Sequence, residues 1–217
     1  MEELYFKYGQ TEIDYLSKRD KRLGEAIKKL RMVKRPVNPN LFQSLVYQIV
    51  GQQISTKANQ TIWDRMVAGI GTITPQAIAA LPAADIQKYG LSWRKTEYIK
   101  SVAECVCSGD LKLEELAAMS DDEVCRKLSS LPGIGRWTAE MLMLHSMQRS
   151  DVLSYSDLAI VRGMRMLYRH RKIDRTLFER YRRSYSPYGS VASIYLWKIS
   201  AGGIEGLTDP GEKKQSR

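Results

Sequence analysis

The stretch LPGIGRWTAEMLMLHSMQRSDVLSYSD, residues 131–157, decides the reading of this chain. It opens on a turn, Leu131-Pro132-Gly133-Ile134-Gly135, set between two segments of helical period. Pro132 has a fixed φ, and the two glycines admit positive φ and the close approach of another backbone. A helix starting at Gly135 or Arg136 points its first N–H groups and the positive end of its dipole out of the turn. That arrangement suits a phosphate without any contact to a base. Asp157 follows within the apolar segment at 152–160. A carboxylate there either caps the next helix or takes part in chemistry.

The composition sets the frame for that stretch. The chain has 217 residues, enough for a sizeable core in one domain or two joined lobes. Its formal net charge of +10 favours a polyanionic partner through field steering and counterion release. No run approaches the roughly 18 apolar residues of a membrane helix, and no secretory leader is read at the start. A cytoplasmic location is expected, nucleoid-associated if the source is prokaryotic. Cys105, Cys107 and Cys125 are an odd set in helical context, which favours reduced thiols over disulfides. His145 and His170 stand without Cys, Asp or Glu at ligand spacing, so no metal held by side chains is expected.

Nearly every segment reads at helical period, with Gly, Pro and Asn as punctuation and no sustained alternation of strand type, so the fold class is all-α. Residues 1–10, rich in Tyr and Phe, read as a short strand or an ordered arm. A helical piece at Glu12–Leu16 leads to a helix with Asp20 as N-cap, ending at Arg35-Pro36. Asn40 or Pro39 starts an apolar helix that stops at Gly51-Gln52-Gln53-Ile54-Ser55, and Ser55 caps the next, through Met66. Pro75 and Pro82 start short helices. Ser92 caps a long one in Gly90-Leu91-Ser92-Trp93-Arg94-Lys95. Asp121 and Asp122 open the helix before the turn; its partner runs from Arg136 to about Met147, with Trp137, Met141, Leu144 and His145 on one face. After Asp157 a helix at 158–168 leads into a basic stretch with Arg162, Arg165, Arg169, Arg171, Lys172, Arg175, Arg180, Arg182 and Arg183. Residues 203–217 read as a frayed tail.

The segment LPGIGRWTAEM resembles the helix-hairpin-helix motif of the base-excision DNA glycosylases, and Asp157 lies twenty residues after Trp137, where that superfamily has its catalytic aspartate. Three further segments resemble the alkylation-repair branch, the 3-methyladenine DNA glycosylase II type. These are Gly51-Gln52-Gln53-Ile54-Ser55, Gly90-Leu91-Ser92-Trp93-Arg94-Lys95, and Tyr185-Ser-Pro-Tyr188 leading to Leu196-Trp197. The resemblance spans about residues 38–200 and leaves no room for an extra N-terminal β-rich domain. It implies two helical lobes with a cleft between them: 38–134 as one, and 1–37 with 135–217 as the other. Some relatives carry a four-cysteine iron–sulfur cluster near the C-terminus; no cysteine follows Cys125, so none can form here.

The same resemblance assigns roles. Asp157 would be catalytic; Trp137, Met141, Leu158, Trp197 and Tyr155 would border the base pocket. Gln52, Gln53, Ile54 and Ser55 would reach the minor groove, with Gln53 as the wedge that fills the gap left by an extruded base. Arg94, Lys95, Pro132, Gly133, Ile134, Gly135, Arg136 and Thr138 would contact DNA. No cofactor is implied, beyond a monovalent cation on the carbonyls of the hairpin turn. The partner would be damaged double-stranded DNA, bound by a monomer and away from any membrane.

Breaking an N-glycosidic bond builds positive charge on the sugar, and a nearby carboxylate stabilises it and orients water. The base must leave the stack to be reached, and aromatic faces receive it; an alkylated cationic purine gains cation–π attraction there. Bifunctional relatives have a lysine nucleophile where this chain has Trp137, so a monofunctional hydrolase is expected. The competing readings are a non-catalytic helix-hairpin-helix DNA-binding module and a glycosylase for another damaged base. A mere binder needs neither Asp157 nor Trp197.

Overall fold

The computed structural model describes residues 3–211. Among these the chain is helical throughout, with no strand, and extended pairing is confined to a bridge between Tyr5 and Pro36. Two compact units are present: Asn38–Met147, continuous in sequence, and Met1–Val37 with Gln148–Arg217. The division falls after Met147, not after residue 134 as the sequence reading had it. The reason is packing: the helix that follows the hairpin turn rests on helices of the continuous segment.

In the unit formed by the two ends, residues 4–6 lie along residues 35–37. The Phe6 N–H donates to the Arg35 carbonyl at 2.8 Å and the Val37 N–H to the Leu4 carbonyl at 2.9 Å. Residues 4–6 are thus an ordered arm, while residues 1–2 lie outside the described residues. Helix α1 (Gln10–Arg19) turns into α2 (Lys21–Leu30) at Asp20, whose Oδ1 accepts the Leu23 N–H at 2.9 Å. Helix α2 ends at Leu30 with Arg31 at φ 56°, earlier than Arg35-Pro36.

The continuous unit runs through α3 (Leu41–Gly51), α4 (Thr56–Ile70), the short α5 (Pro75–Ala80) and α6 (Ala83–Gln87), then α7 (Trp93–Ser108). A 3-10 turn at Leu113–Ala118 precedes α8 (Asp121–Ser129) and α9 (Arg136–His145). Side-chain caps start most of them: Asn40 for α3, Ser55 for α4 and Ser92 for α7. Ser120 and Glu123 close a reciprocal capping box on α8. Leu45, Val46 and Ile49 on α3, Ile99 and Val102 on α7, Val124 and Leu128 on α8 and Leu142 on α9 are all fully buried. Each such side chain contributes roughly 1.5–3 kcal/mol by leaving water.

The chain then returns to the first unit with α10 (Leu158–Tyr168), α11 (Arg175–Tyr185) and α12 (Gly189–Ser200). Helices α10 and α12 touch backbone to backbone: a Cβ on Gly163 would lie 2.3 Å from the Leu196 carbonyl oxygen. Helix α2 packs against both. Tyr168 donates to Asp20 Oδ2 at 2.6 Å and bonds to the Tyr185 hydroxyl, so one aspartate caps α2 and ties it to α10. Burial raises both phenols well above their ordinary range, which keeps them protonated as donors.

The tail is not frayed through Gly211. Asp209 is buried and forms a paired ion bond with Arg165, with Arg162 at 3.7 Å. The hydrogen bond from Arg165 is the main cause of a lowered Asp209 carboxyl pKa. Residues 212–217 lie outside the described residues. The basic stretch is therefore divided in use: Arg162 and Arg165 hold the tail, Arg175 pairs with Glu179 at 2.8 Å, and Arg169, Arg171, Arg180 and Arg183 are exposed.

Candidate active site and nucleic-acid interface

Asp157 stands at the N-cap of α10 and is 8% exposed. Its Oδ1 accepts the N–H groups of Ala159 at 2.9 Å and Ile160 at 3.0 Å, and the Trp197 indole N–H at 3.2 Å. The segment leading to it is laced to α12. The Val152 N–H donates to Ser190 Oγ at 2.9 Å, and Ser193 Oγ donates to the Val152 carbonyl at 2.7 Å. One residue earlier, Asp151 accepts Ser186 Oγ–H at 2.6 Å and the Gly189 N–H at 3.0 Å. The glycine of Ser186-Pro187-Tyr188-Gly189-Ser190 thus serves a purpose: a Cβ on Gly189 would meet Asp151 Oδ1 at 2.7 Å. Asp157 and Trp197, forty residues apart, are brought into contact by these bonds and by the crossing of α10 and α12.

A residue that the sequence reading missed joins this pair. The Arg35 guanidinium lies over the Trp197 ring, 4.6 Å from its centre. Nothing local in the sequence marks Arg35; only the arm pairing and the folded position of α12 reveal it.

The other expected pocket residues fare differently. Tyr155 is committed to α11, with its ring edge-on to Phe178 at 5.1 Å, the Arg175 guanidinium 5.2 Å away, and its hydroxyl 3.4 Å from the Ile173 carbonyl. Leu158 is 84% exposed and so lines no apolar interior. It is the first residue of α10, where a helix that buries Ile160 and Met164 turns its opposite side outward. Met141 is a core residue, in a helix buried from Thr138 to Leu144. Trp137 is half-buried at the second position of α9.

In the continuous unit, the hairpin turn is built as the sequence required. Gly133 has φ +76°, and a Cβ there would come within 2.0 Å of the Tyr98 ring. Glycine is needed twice over, for the backbone and for the ring laid against it. Gly133→Ala is expected to destabilise the protein by about 2 kcal/mol or more and to weaken DNA binding. Thermal melting and fluorescence anisotropy check this; an unchanged melting temperature with unchanged binding would refute it. Helix α9 has Gly135 as N-cap and no side-chain cap, unlike α8 or α10. The Ile134 N–H is already given to the Leu131 carbonyl at 3.2 Å and its side chain is buried, so this residue anchors the turn and does not face a ligand.

Several expected DNA contacts turn out to be internal fastenings. Gln52 Nε2 donates to the Gly133 carbonyl at 2.9 Å and to Thr138 Oγ1 at 3.1 Å, tying the α3–α4 turn to the hairpin. Thr138 is buried. Lys95 Nζ donates to the Val50 and Gln52 carbonyls at 2.8 and 2.6 Å, satisfying the C-terminus of α3, and burial lowers its pKa. Arg94 bonds to the Tyr98 hydroxyl while remaining exposed. Arg136 is turned along α9 onto Glu140 at 2.8 Å, and both lie near Cys125, whose thiol pKa is raised mainly by burial and then by Glu140. Ser55 caps α4 through the Ala58 N–H at 3.2 Å. By contrast Gln53 is exposed at φ 58°, a left-handed conformation that a non-glycine residue takes up only at some cost, and Ile54 beside it is 38% exposed. Gln53 and Ile54 are the part of this turn that faces outward.

Residues 46–187 match the model of the HhH-GPD superfamily base excision DNA repair proteins. The chain is 34% identical over 164 residues to DNA-3-methyladenine glycosylase 1 of Schizosaccharomyces pombe, covering 73% of this chain and 72% of that protein. Its structure is similar to that of a DNA-3-methyladenine glycosidase from Bacillus halodurans, with a TM-score of 0.81, 37% identity and coverage of 94% and 95%. It is also similar to the S. pombe 3-methyladenine DNA glycosylase solved in complex with abasic DNA, with a TM-score of 0.79, 30% identity and coverage of 88% and 97%. With the hairpin, its glycine turn and the aspartate on the following helix all in place, the chain belongs to the HhH-GPD superfamily of base excision DNA repair proteins.

Proposed function

We propose that this chain is a monofunctional DNA glycosylase that hydrolyses alkylated purines such as 3-methyladenine from duplex DNA and leaves an abasic site. The observation that carries this reading is the buried Asp157 carboxylate held against the Trp197 indole. Capping α10 would account for this carboxylate in a binding module as well, but its place against the Trp197 indole is of further use only where positive charge develops on a substrate. A glycosylase needs it.

The hydrolysis follows from the groups present. As the bond between the base nitrogen and sugar C1′ breaks, its electron pair leaves with the base; a purine made cationic by alkylation departs neutral. Positive charge develops on the sugar, and the fixed Asp157 carboxylate stabilises it. Water forms the new C1′–O bond and gives its proton to Asp157 and then to solvent. The flipped base stacks on Trp197, and the uncapped first turn of α9 takes a backbone phosphate. Gln53 and Ile54 fill the space that the base vacates. A monovalent cation would sit on carbonyls of the 131–134 turn and would help to hold that phosphate. The monofunctional assignment rests on Trp137 in place of an amine nucleophile and on Lys95 being engaged with two carbonyls.

The test is base release from alkylated duplex DNA, with strand breaks scored before and after alkali. Free methylpurine with breaks only after alkali is the expected result. Breaks without alkali would overturn the monofunctional reading. Tight binding with no release from alkylated, deaminated or oxidised duplex would leave only the binding module.

A further inference from the structure

Resting on that glycosylase reading and its wedge, we propose that Lys95 is a positioning residue: it holds Gln53 in its left-handed conformation and so sets how the Gln53-Ile54 turn meets the space left by an extruded base. Lys95 lies in the first turn of α7, where a cation meets the unfavourable end of the helix dipole. Its Nζ leaves that turn for the C-terminus of α3, the end that favours a cation. There it donates to the Val50 carbonyl at 2.8 Å and to the Gln52 carbonyl at 2.6 Å.

The Gln52 carbonyl and the Gln53 N–H belong to one planar peptide unit. Fixing that oxygen fixes the plane from which Gln53 departs, and Gln53 stands at φ 58°. A residue with a side chain leaves that region when nothing holds it there. The backbone bonds of the turn are long: the Gln52 N–H reaches the Ile49 carbonyl at 3.3 Å and the Ile54 N–H the Gly51 carbonyl at 3.4 Å. A second anchor comes from the Gln52 side chain, whose Nε2 donates to the Gly133 carbonyl at 2.9 Å and to Thr138 Oγ1 at 3.1 Å. Gln52 is thus clamped at both ends, its carbonyl by Lys95 and its amide by the hairpin, and Gln53 inherits the geometry. Helix α7 supplies its own comparison. Lys100 Nζ donates to the Ala79 and Leu81 carbonyls at 3.1 and 2.8 Å and closes α5 in the same manner. Leu81 and Pro82 at that corner have negative φ, so Lys100 stabilises a turn without holding a left-handed residue.

The experiment compares release of 7-methylguanine paired with cytosine and of the same base in a one-nucleotide bulge, where it is already unpaired. Single-turnover rates are measured for the wild type, Lys95→Met, Lys95→Arg and Lys100→Met. The paired-to-bulged rate ratio is expected to fall about tenfold in Lys95→Met, on the scale of what a left-handed side chain ordinarily costs. It is expected to stay within about threefold of wild type in Lys95→Arg and Lys100→Met. Equal loss on both duplexes in Lys95→Met would mean that Lys95 only supports the fold, and an equal fall of the ratio in Lys100→Met would mean that any cap on α7 suffices. A duplex affinity whose salt slope drops by about one in Lys95→Met would put Lys95 on a phosphate. Each of these results overturns the proposal. Independently of release, the HN–Hα coupling and backbone chemical shifts of Gln53 report the sign of its φ by NMR. Loss of the positive φ is expected in Lys95→Met, and a φ that stays positive overturns the proposal. Should the wild type release base from neither duplex, the glycosylase reading itself fails, and the hold of Lys95 on Gln53 is judged from the NMR result alone. Lys95→Gln takes the place of Lys95→Met in both measurements if the methionine variant does not fold.

Discussion

Asp157→Asn is expected to lower the single-turnover rate of base release by about a thousandfold or more while leaving the fold and DNA binding intact. The substitution separates the two roles of this side chain. Asn is as good an N-cap as Asp, so its oxygen can still accept the Ala159 and Ile160 N–H groups and the Trp197 indole. Helix α10 therefore keeps its start, and the melting temperature moves by the equivalent of less than about 1 kcal/mol. What is lost is the negative charge that faces the developing sugar cation. DNA affinity holds or rises, because a carboxylate close to phosphates has been removed. Asp157→Ala, in contrast, loses charge and cap together and costs about 1 kcal/mol of stability as well. Release within tenfold of wild type in Asp157→Asn, with binding unchanged, would remove Asp157 from the chemistry.

The second large effect is structural. Gly163→Val is expected to destabilise the protein by about 3 kcal/mol or more, a drop in Tm of roughly 6–12 °C. Even a single Cβ at this position would stand 2.3 Å from the Leu196 carbonyl oxygen and 2.9 Å from its carbon. These are backbone atoms of α12 and cannot rotate away. The helices must part, and they carry the two halves of the site, Asp157 at the start of α10 and Trp197 next to Leu196 on α12. The indole–carboxylate hydrogen bond widens with them, so base release falls further than stability accounts for when measured well below the melting range. Gly163→Ala does the same to a lesser degree. Differential scanning calorimetry together with release assays at a low common temperature tests both parts. A valine variant that melts like wild type would show that the crossing is looser than these distances require.

What could be read from the sequence was local. The hairpin turn depends on Pro132, Gly133 and Gly135 within a few residues, and Asp20, Asn40, Ser55, Ser92 and Asp157 cap helices that begin at the next residue. The Ser120–Glu123 box is equally local, its two partners three residues apart on either side of Asp121 and Asp122. What could not be read depends on partners far along the chain. Arg35 reaches Trp197, Asp209 reaches Arg165, and Asp20 reaches Tyr168, and no periodicity announces such pairings. Gln52, Lys95 and Thr138 show a second limit. A donor that suits a phosphate suits a peptide carbonyl equally well, and residue type does not reveal which acceptor the fold supplies. Met141 and Leu158 show the same ambiguity for apolar residues, one buried in the core and the other in the open.

The unit that carries Asp157 is made from both ends of the chain, whereas Asn38–Met147 is a single uninterrupted run. On the ribosome these two histories diverge. The middle run has every partner it needs once it has emerged, and it can close on itself while translation continues. Helices α1 and α2 precede it and pack on each other, yet their remaining partners, α10, α11 and α12, are synthesised only after it. Through that interval Leu16, Leu23 and Ile27, all buried at the end, face water. The vulnerable species in the life of this protein is thus a nascent one: a finished middle preceded by an amphipathic pair still short of most of its partners, to be shielded by a chaperone or left to aggregate until α10 and α12 arrive.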